Sequence, residues 1–341
     1  MPGRKSIYVY PTTPVVYQHG SNDYIRKVRE CLSQELNVVN KSTTKGMFDL
    51  VAKFPKTDIF YFNWIEDVVD KRFGYLQILV LFFILVSCKL TGKQIVWFVH
   101  NNSSHYNKNR AAKKFIYWLM KTFADTVLTH SREATIVKQV KDVQVFDHPV
   151  DAFQPLNTDE TSFDVLIWGA ISHYKGVQQF VQHYAADKQL QDVKVLIAGK
   201  FSSDELYAEV KAAATNNINI VNEVLEEDQL RTLFQKTRCV LFCYNSSSVL
   251  SSGALCKTLP YGKTIIGPER GSFKELGEKG LIYTYSDFFS LSQLLQALKK
   301  NKLAVDQHRV QQYVQDHSWG RFTEFLLEHL DGEREALAAA A

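Results

Sequence analysis

The sequence predicts an α/β protein made of two Rossmann-like halves. Three observations predict it. β-rich runs alternate with helical stretches along the chain, and the alternation restarts after Asp147-His148-Pro149. The length of 341 residues suffices for about two domains of roughly 100–200 residues each. An apolar share of 45% excludes disorder, and five scattered cysteines exclude a disulfide scaffold and fit a reducing, cytoplasmic compartment.

In the first half, Ser6–Tyr10 reads as a strand ending at Pro11, Tyr24–Leu36 as a helix, Val38–Val39 as a strand and Asp58–Asn63 as a further strand. Leu76–Cys88 is the longest apolar run, and its 13 residues fall short of the ~20 that a membrane-spanning helix needs. It lies too far along the chain for a signal peptide and is placed in a helix from about Phe73 to Lys89. Gly92 breaks the chain before the buried strand Gln94–His100. Helix Arg110–Phe123, strand Thr126–Thr129, helix Arg132–Val140 and strand Gln144–Phe146 follow.

In the second half, strands are expected at Asp164–Trp168, Val193–Ala198, Ile218–Val221, Cys239–Tyr244, Thr264–Gly267 and Leu281–Thr284. Between them lie helices at Gly176–His183, Glu205–Ala214, Glu226–Lys236, Gly253–Leu259 and Phe273–Glu278. Leu291–Lys299, Gln307–Asp316 and a last helix from Trp319 to about His329 complete the pattern.

Charge divides with the halves. Residues 1–150 carry 21 Lys and Arg against 12 Asp and Glu, a net of +9, and residues 151–341 carry 19 against 24, a net of −5. A basic half suits an anionic partner: nucleic acid, a membrane surface or a phosphate-bearing substrate. Chance variation between two domains is the plainer alternative. No nucleic-acid module accompanies the basic residues, so nucleic acid is not expected. In Arg110–Phe123, Lys113, Tyr117 and Lys121 share one face by i, i+4 spacing, with Phe115, Trp118 and Leu119 on the other side. The first face suits anionic headgroups; an ordinary amphipathic helix is the competing reading.

No Gly-x-Gly-x-x-Gly follows the first strand and no Walker-type loop is present, which sets aside dinucleotide and kinase readings. No His-x-x-x-His or Cys-x-x-Cys pair supports a metal, and Cys239 and Cys243 read as core residues. Three segments at strand C-termini carry the candidate chemistry, because ligands in doubly wound sheets sit there against helix N-termini. In Trp168-Gly-Ala-Ile-Ser-His-Tyr-Lys-Gly176, Gly169 permits close approach of backbone to a ligand and Lys175 offers a cation to phosphate. A strand–loop–helix turn with a solvated lysine is the plainer reading. Tyr244-Asn-Ser-Ser-Ser-Val-Leu-Ser-Ser-Gly253 brings Ser248, Ser251 and Ser252 to a helix start, as an anion or sugar-hydroxyl site or as a simple cap. Val99-His100-Asn101-Asn102 ends the buried strand of the first half, where a structural histidine is the alternative.

Together these segments resemble GT-B fold glycosyltransferases, close to family 4, and in particular bacterial capsule and exopolysaccharide transferases of the β-1,4-mannosyl- or glucuronosyltransferase type. The resemblance runs from about Tyr8 to Leu327. Ser21-Asn-Asp-Tyr-Ile-Arg26 is similar to their Asn-Pro-Tyr segment, and Asp58–Glu66 to their strand ending in His-Trp-x-Glu, with Asn63 in place of His. Gly92–Asn101 is similar to their Gly-Lys-x-Ile-Val-Trp-Thr-Val-His-Asn, and Ile167–Gly176 to their Gly-x-Ile-Arg-x-Tyr-Lys-Gly loop, with Ser172 in place of Arg. Thr129-His-Ser131 and His148-Pro149 also match. The family's paired glutamates are absent from Ser246–Gly253.

The resemblance implies two Rossmann-like domains facing a cleft: 1–150 for the acceptor, 151–316 for the nucleotide sugar, and a helix in 317–330 returning to the first domain. It implies a metal-independent transferase moving a sugar from a UDP- or GDP-sugar to a saccharide, in surface polysaccharide or glycoconjugate assembly. A polyprenyl-diphosphate-linked acceptor and peripheral contact with the inner membrane face are expected, with no cofactor. Gly169, Lys175, Ser248, Ser251, Ser252 and Gly253 would hold the diphosphate and sugar, and Val224, Glu226 and Glu227 the nucleoside. Asn22, Tyr24, Trp64 and Asn101 would meet the acceptor. Glu66 and His100 are the two candidate general bases. A GT-B-like subunit that binds nucleotide sugar without turnover is the alternative.

Overall fold

A computed structural model describes residues 4–12, 23–41, 43–100, 109–156, 161–245 and 252–330. The chain divides into two compact units, the first made of Met1–Tyr17, Asn22–Pro149 and Trp319–Ala341, the second of Gln18–Ser21 and Val150–Ser318.

Unit 1 holds six parallel strands, β1 (Ser6–Tyr10), β2 (Asn37–Val38), β3 (Ile59–Asn63), β4 (Gln94–Val99), β5 (Thr126–Thr129) and β6 (Gln144–Val145), in the order β2-β1-β3-β4-β5-β6. The runs IFYFN and QIVWFV are almost wholly buried, as strands covered on both faces must be. Helices α1 (Tyr24–Leu32), α2 (Met47–Lys53), α3 (Gly74–Thr91) and α4 (Arg110–Phe123) form crossovers. The order reverses between β1 and β3, which makes their C-terminal ends the switch point of this sheet.

Unit 2 repeats the design with β7 (Phe163–Trp168), β8 (Val195–Ala198), β9 (Ile218–Val221), β10 (Thr237–Leu241), β11 (Thr264–Pro268) and β12 (Tyr283–Tyr285), in the order β12-β11-β10-β7-β8-β9. Its helices are α5 (Val177–Ala186), α6 (Asp204–Ala213), α7 (Glu227–Gln235), α8 (Gly253–Thr258), α9 (Gly271–Glu278), α10 (Phe288–Lys299) and α11 (Gln307–Asp316). Side-chain caps at Ser203, Asp287 and Asp306 satisfy orphan N–H groups at three helix starts. The switch point falls between β7 and β10.

The last helix, α12 (Trp319–Leu330), belongs to unit 1. Phe322, Leu326 and Leu330 are buried with Phe98 and Leu128 in one core cluster. The Phe322 ring lies 5.3 Å from Phe146 and 6.0 Å from Phe98.

Several expectations change. Arg132–Val140 is not a helix: only a 3-10 turn, Thr135–Lys138, forms there, since Thr135, Ile136 and Val137 are β-branched and disfavour helix. The first helix stops at Leu32, where Gln34 and Glu35 close tighter i−3 turns. α8 stops at Thr258 because Pro260 draws Leu259–Tyr261 into a 3-10 turn. The short helix α2 carried no sequence expectation. The apolar run sits in a helix of 18 residues, long and apolar enough by length and composition to cross a membrane. Its place as the β3–β4 crossover, packed on α2, α4 and β4, makes it a sheet-covering helix. On α4 the expected faces hold at Lys121, which is exposed, and at Leu119, which is buried, but not at three other positions. Lys113 turns inward to Asp70 at 2.5 Å, while Phe115 and Trp118 are exposed.

Phe322→Ala removes the ring that α12 contributes to the unit 1 core. It is expected to destabilise that unit by about 3–5 kcal/mol, read as a lowered guanidinium midpoint of its unfolding transition.

Candidate functional site

In unit 2 the loop after β7 is clamped by both neighbouring strand ends. Ile171 N–H donates to Lys200 C=O and Ser202 N–H to Ile171 C=O, each at 2.8 Å. On the β10 side, Asn245 N–H donates to Tyr174 C=O at 3.1 Å. Gly176 has φ +68, and a Cβ there would meet the Cys243 carbonyl oxygen at 2.1 Å, so only glycine lets the two strand ends approach.

This clamp fixes Lys175. The side chain is buried, and its Nζ makes no hydrogen bond or ion pair with any described residue. It stands 5.3 Å over the Tyr244 ring. A Cβ on Gly169, whose φ is +99, would lie 3.0 Å from that Nζ. Burial pulls the Lys175 pKa below the usual ammonium value. A buried cation without a counter-charge costs free energy in the empty protein. An anion placed there recovers it.

Beside it, Ser252 caps α8. Its Oγ accepts from Leu255 N–H at 3.2 Å and lies 2.9 Å from the Tyr244 hydroxyl. Gly253 is exposed at the first turn of α8. Ser248 and Ser251 lie outside the described residues. Among the nucleoside candidates, Val224 is exposed. Glu226 forms a capping box at α7, taking its N–H to Gln229 Oε1 at 2.8 Å. Glu227 pairs with Lys257 and accepts from the Tyr261 hydroxyl at 2.9 Å.

In unit 1 the switch point carries a hydrogen-bond relay. Asn63 Nδ2 donates to the Tyr10 carbonyl at 2.9 Å, so its Oδ1 faces His100 Nε2, also at 2.9 Å. The amide orientation makes Nε2 the donor, which leaves the lone pair of neutral His100 on Nδ1. Burial, reinforced by His148, holds the His100 pKa well below the ordinary imidazole value. Trp64 stacks on His100 with ring centroids 4.0 Å apart and planes 18° apart. It does so from a left-handed backbone, φ +46, which a non-glycine residue adopts only where the surroundings impose it.

Tyr24 lies deep in this cluster. It is buried, edge-on to His100 at 4.9 Å, and its hydroxyl meets His130 Nε2 at 3.0 Å. His130 Nδ1 donates to the Phe146 carbonyl at 2.8 Å. Tyr24 therefore supports the histidines from below. Glu66 follows Trp64 in a 3-10 helix and is buried. Its pKa is pushed up to about 7, first by burial and then by Asp67, against the pull of Lys113. Asn22 and Asn101 lie outside the described residues. Asn63 is the site residue that the sequence reading left out of the candidates, although its position in place of the family histidine marked it.

Two outcomes follow. A folded pKa of about 7 against an unfolded value near 4.5 means that Glu66 stabilises fully below the unfolded pKa and loses this as pH rises through about 7. Glu66→Gln should abolish that slope and leave the variant up to about 3 kcal/mol more stable above neutrality, measured by denaturation at a series of pH values. Asn63→Ala removes the Nε2 acceptor. Ring-nitrogen NMR of neutral His100 should show a single Nε2–H tautomer in the parent and a mixture in the variant.

Residues 151–256 match the family model described as glycosyl transferases group 1. A search of curated proteins returns no match. Among solved structures, HepE of Anabaena in complex with UDP shares 14% identity at a TM-score of 0.68, over 96% of this chain and 100% of that one. A glycosyltransferase from Rickettsia africae shares 14% at 0.62, over 96% and 98%. The lipopolysaccharide outer core galactosyltransferase WaaB shares 12% at 0.63, over 96% and 99%. The chain has the GT-B fold of these solved structures, and its second unit, which holds Lys175, carries the region that matches the glycosyl transferases group 1 model.

Proposed function

We propose that the protein transfers a sugar from a UDP- or GDP-sugar to a saccharide acceptor carried on a lipid diphosphate, for surface polysaccharide or glycoconjugate assembly at a membrane face. The observation that carries the donor reading is the buried Lys175 ammonium with no counter-charge among the described residues, aimed past Gly169. A diphosphate supplies the missing charge, and the ammonium in turn stabilises the negative charge that develops on the leaving group. HepE has been solved with UDP and with UDP-glucose, which supports a uridine donor.

Val224, Glu226 and Glu227 are the proposed nucleoside contacts. Glu227 is held by Lys257 and Tyr261 in a fixed position for a ribose hydroxyl. Ser248, Ser251, Ser252 and Gly253 are proposed at the sugar and phosphate. On the acceptor side, Asn22, Trp64 and Asn101 remain the proposed contacts, with Tyr24 placing the histidines. The two base candidates differ in character. A carboxyl with a pKa of about 7 suits general-base work on an acceptor hydroxyl. His100, neutral and with no partner at Nδ1 among the described residues, suits accepting a hydrogen bond that orients a hydroxyl. Glu66 is the proposed base and His100 the proposed orienting group.

Calorimetric titration with UDP, GDP and their glucose conjugates tests the reading. Lys175→Met should weaken binding of the preferred nucleotide by about tenfold or more while leaving folding stability equal or higher, because it removes an uncompensated buried charge. Unchanged affinity in a folded variant contradicts the donor site. Tight nucleotide binding with no transfer to any lipid-linked or free saccharide favours the binding-subunit alternative.

A further inference from the structure

α3 is apolar on all sides, yet it is not enclosed. Gln77, Ile78, Leu81, Ile84, Leu85 and Cys88 face the sheet, whereas Tyr75, Leu79, Phe83 and Leu90 are exposed, Leu90 at 81%. Their spacing of mostly four residues makes a continuous outward stripe. A helix apolar all round is ordinarily covered on every side, and this face has no cover among the described residues. An apolar groove of about 310 Å³ between α2 and α3, lined by Val51, Phe54, Val80, Phe83 and Ile84, continues the stripe. On neighbouring α4 the exposed pair Phe115 and Trp118 stacks at 5.7 Å.

Basic residues predominate around this face, Lys89 being paired with Asp125 just past α4. From Lys71 to Phe123 the sequence holds nine Lys and Arg residues and no Asp or Glu. Lys71 and Arg72 stand at the start of α3, Lys89 near its end, and Lys114 and Lys121 on the exposed side of α4. A large exposed apolar patch marks an interaction surface. Basic residues at both ends of an apolar helix, with Tyr and Trp beside it, are the chemistry of an element lying in the headgroup layer of an anionic bilayer. A symmetric dimer through the same face would set its excess of lysines against lysines.

We infer that the outward face of α3, with Phe115 and Trp118 of α4, docks unit 1 on an anionic lipid surface, α3 lying in the plane of the interface. This deepens the lipid-linked acceptor reading by naming the surface. It is read without donor or acceptor, so its failure would leave the transfer reading standing.

The full chain is sedimented with vesicles of phosphatidylcholine alone and of phosphatidylcholine mixed with phosphatidylglycerol. Binding is expected to the mixed vesicles, weakened by salt. Leu79→Glu/Phe83→Glu and, separately, Lys71→Glu/Arg72→Glu should each lower the partition coefficient by about tenfold or more. All four side chains are exposed, and unchanged UDP affinity serves as the check that each variant is folded. Tryptophan fluorescence should shift to the blue on binding. Absence of vesicle binding, equal binding to both vesicle types, or binding unaffected by either double variant overturns the inference. So does a concentration-dependent dimer abolished by Leu79→Glu/Phe83→Glu without any vesicle binding, since that makes the face a self-association surface.

Discussion

A buried lysine with no hydrogen-bond or charge partner among the described residues is the constraint around which unit 2 is arranged. Lys175 is held at the switch point of a parallel sheet, past the C-terminal ends of the paired strands β7 and β10. Two features keep it there. Gly176 lets the loop lie against the Cys243 carbonyl, and bonds from both neighbouring strand ends fix the loop. The energy lost by desolvating the ammonium is recovered when an anion arrives, so the sheet stores part of the binding free energy as electrostatic preorganisation. Described groups nearby include a Tyr244 ring, a Ser252 hydroxyl engaged as cap, and a glycine without a side chain, all neutral.

Unit 1 solves a different problem at the equivalent place in its own sheet. It presents a neutral histidine with a defined tautomer rather than a charge. The relay from the Tyr10 carbonyl through Asn63 to His100 spans the ends of β1, β3 and β4, so strand register sets the protonation pattern of the ring. The left-handed Trp64 and the buried Tyr24 hold the ring from two sides. α12 completes the support by packing Phe322 against Phe98 and His130.

Much of this architecture can be read from the chain. Both six-strand sheets follow from alternating β-rich and helical stretches, and Lys175 and His100 follow from their positions just past strand ends. What escapes is tertiary. The outward turn of Phe115 and Trp118 depends on Asp67 and Asp70, 43 or more positions away from Lys113 in the sequence, drawing that lysine inward. Helical spacing alone predicts two faces but not which one meets the protein. The near-neutral Glu66 depends on burial beneath elements that share no local motif with it. Asn63 reads from sequence as a mere replacement, and only the strand register shows that it takes up hydrogen bonding to His100.

A crystal structure of the chain with UDP tests the central claim most directly. The diphosphate is expected past Gly169, with a phosphate oxygen about 3 Å from Lys175 Nζ. UDP bound elsewhere, with the Lys175 ammonium still buried and unpaired, would contradict it.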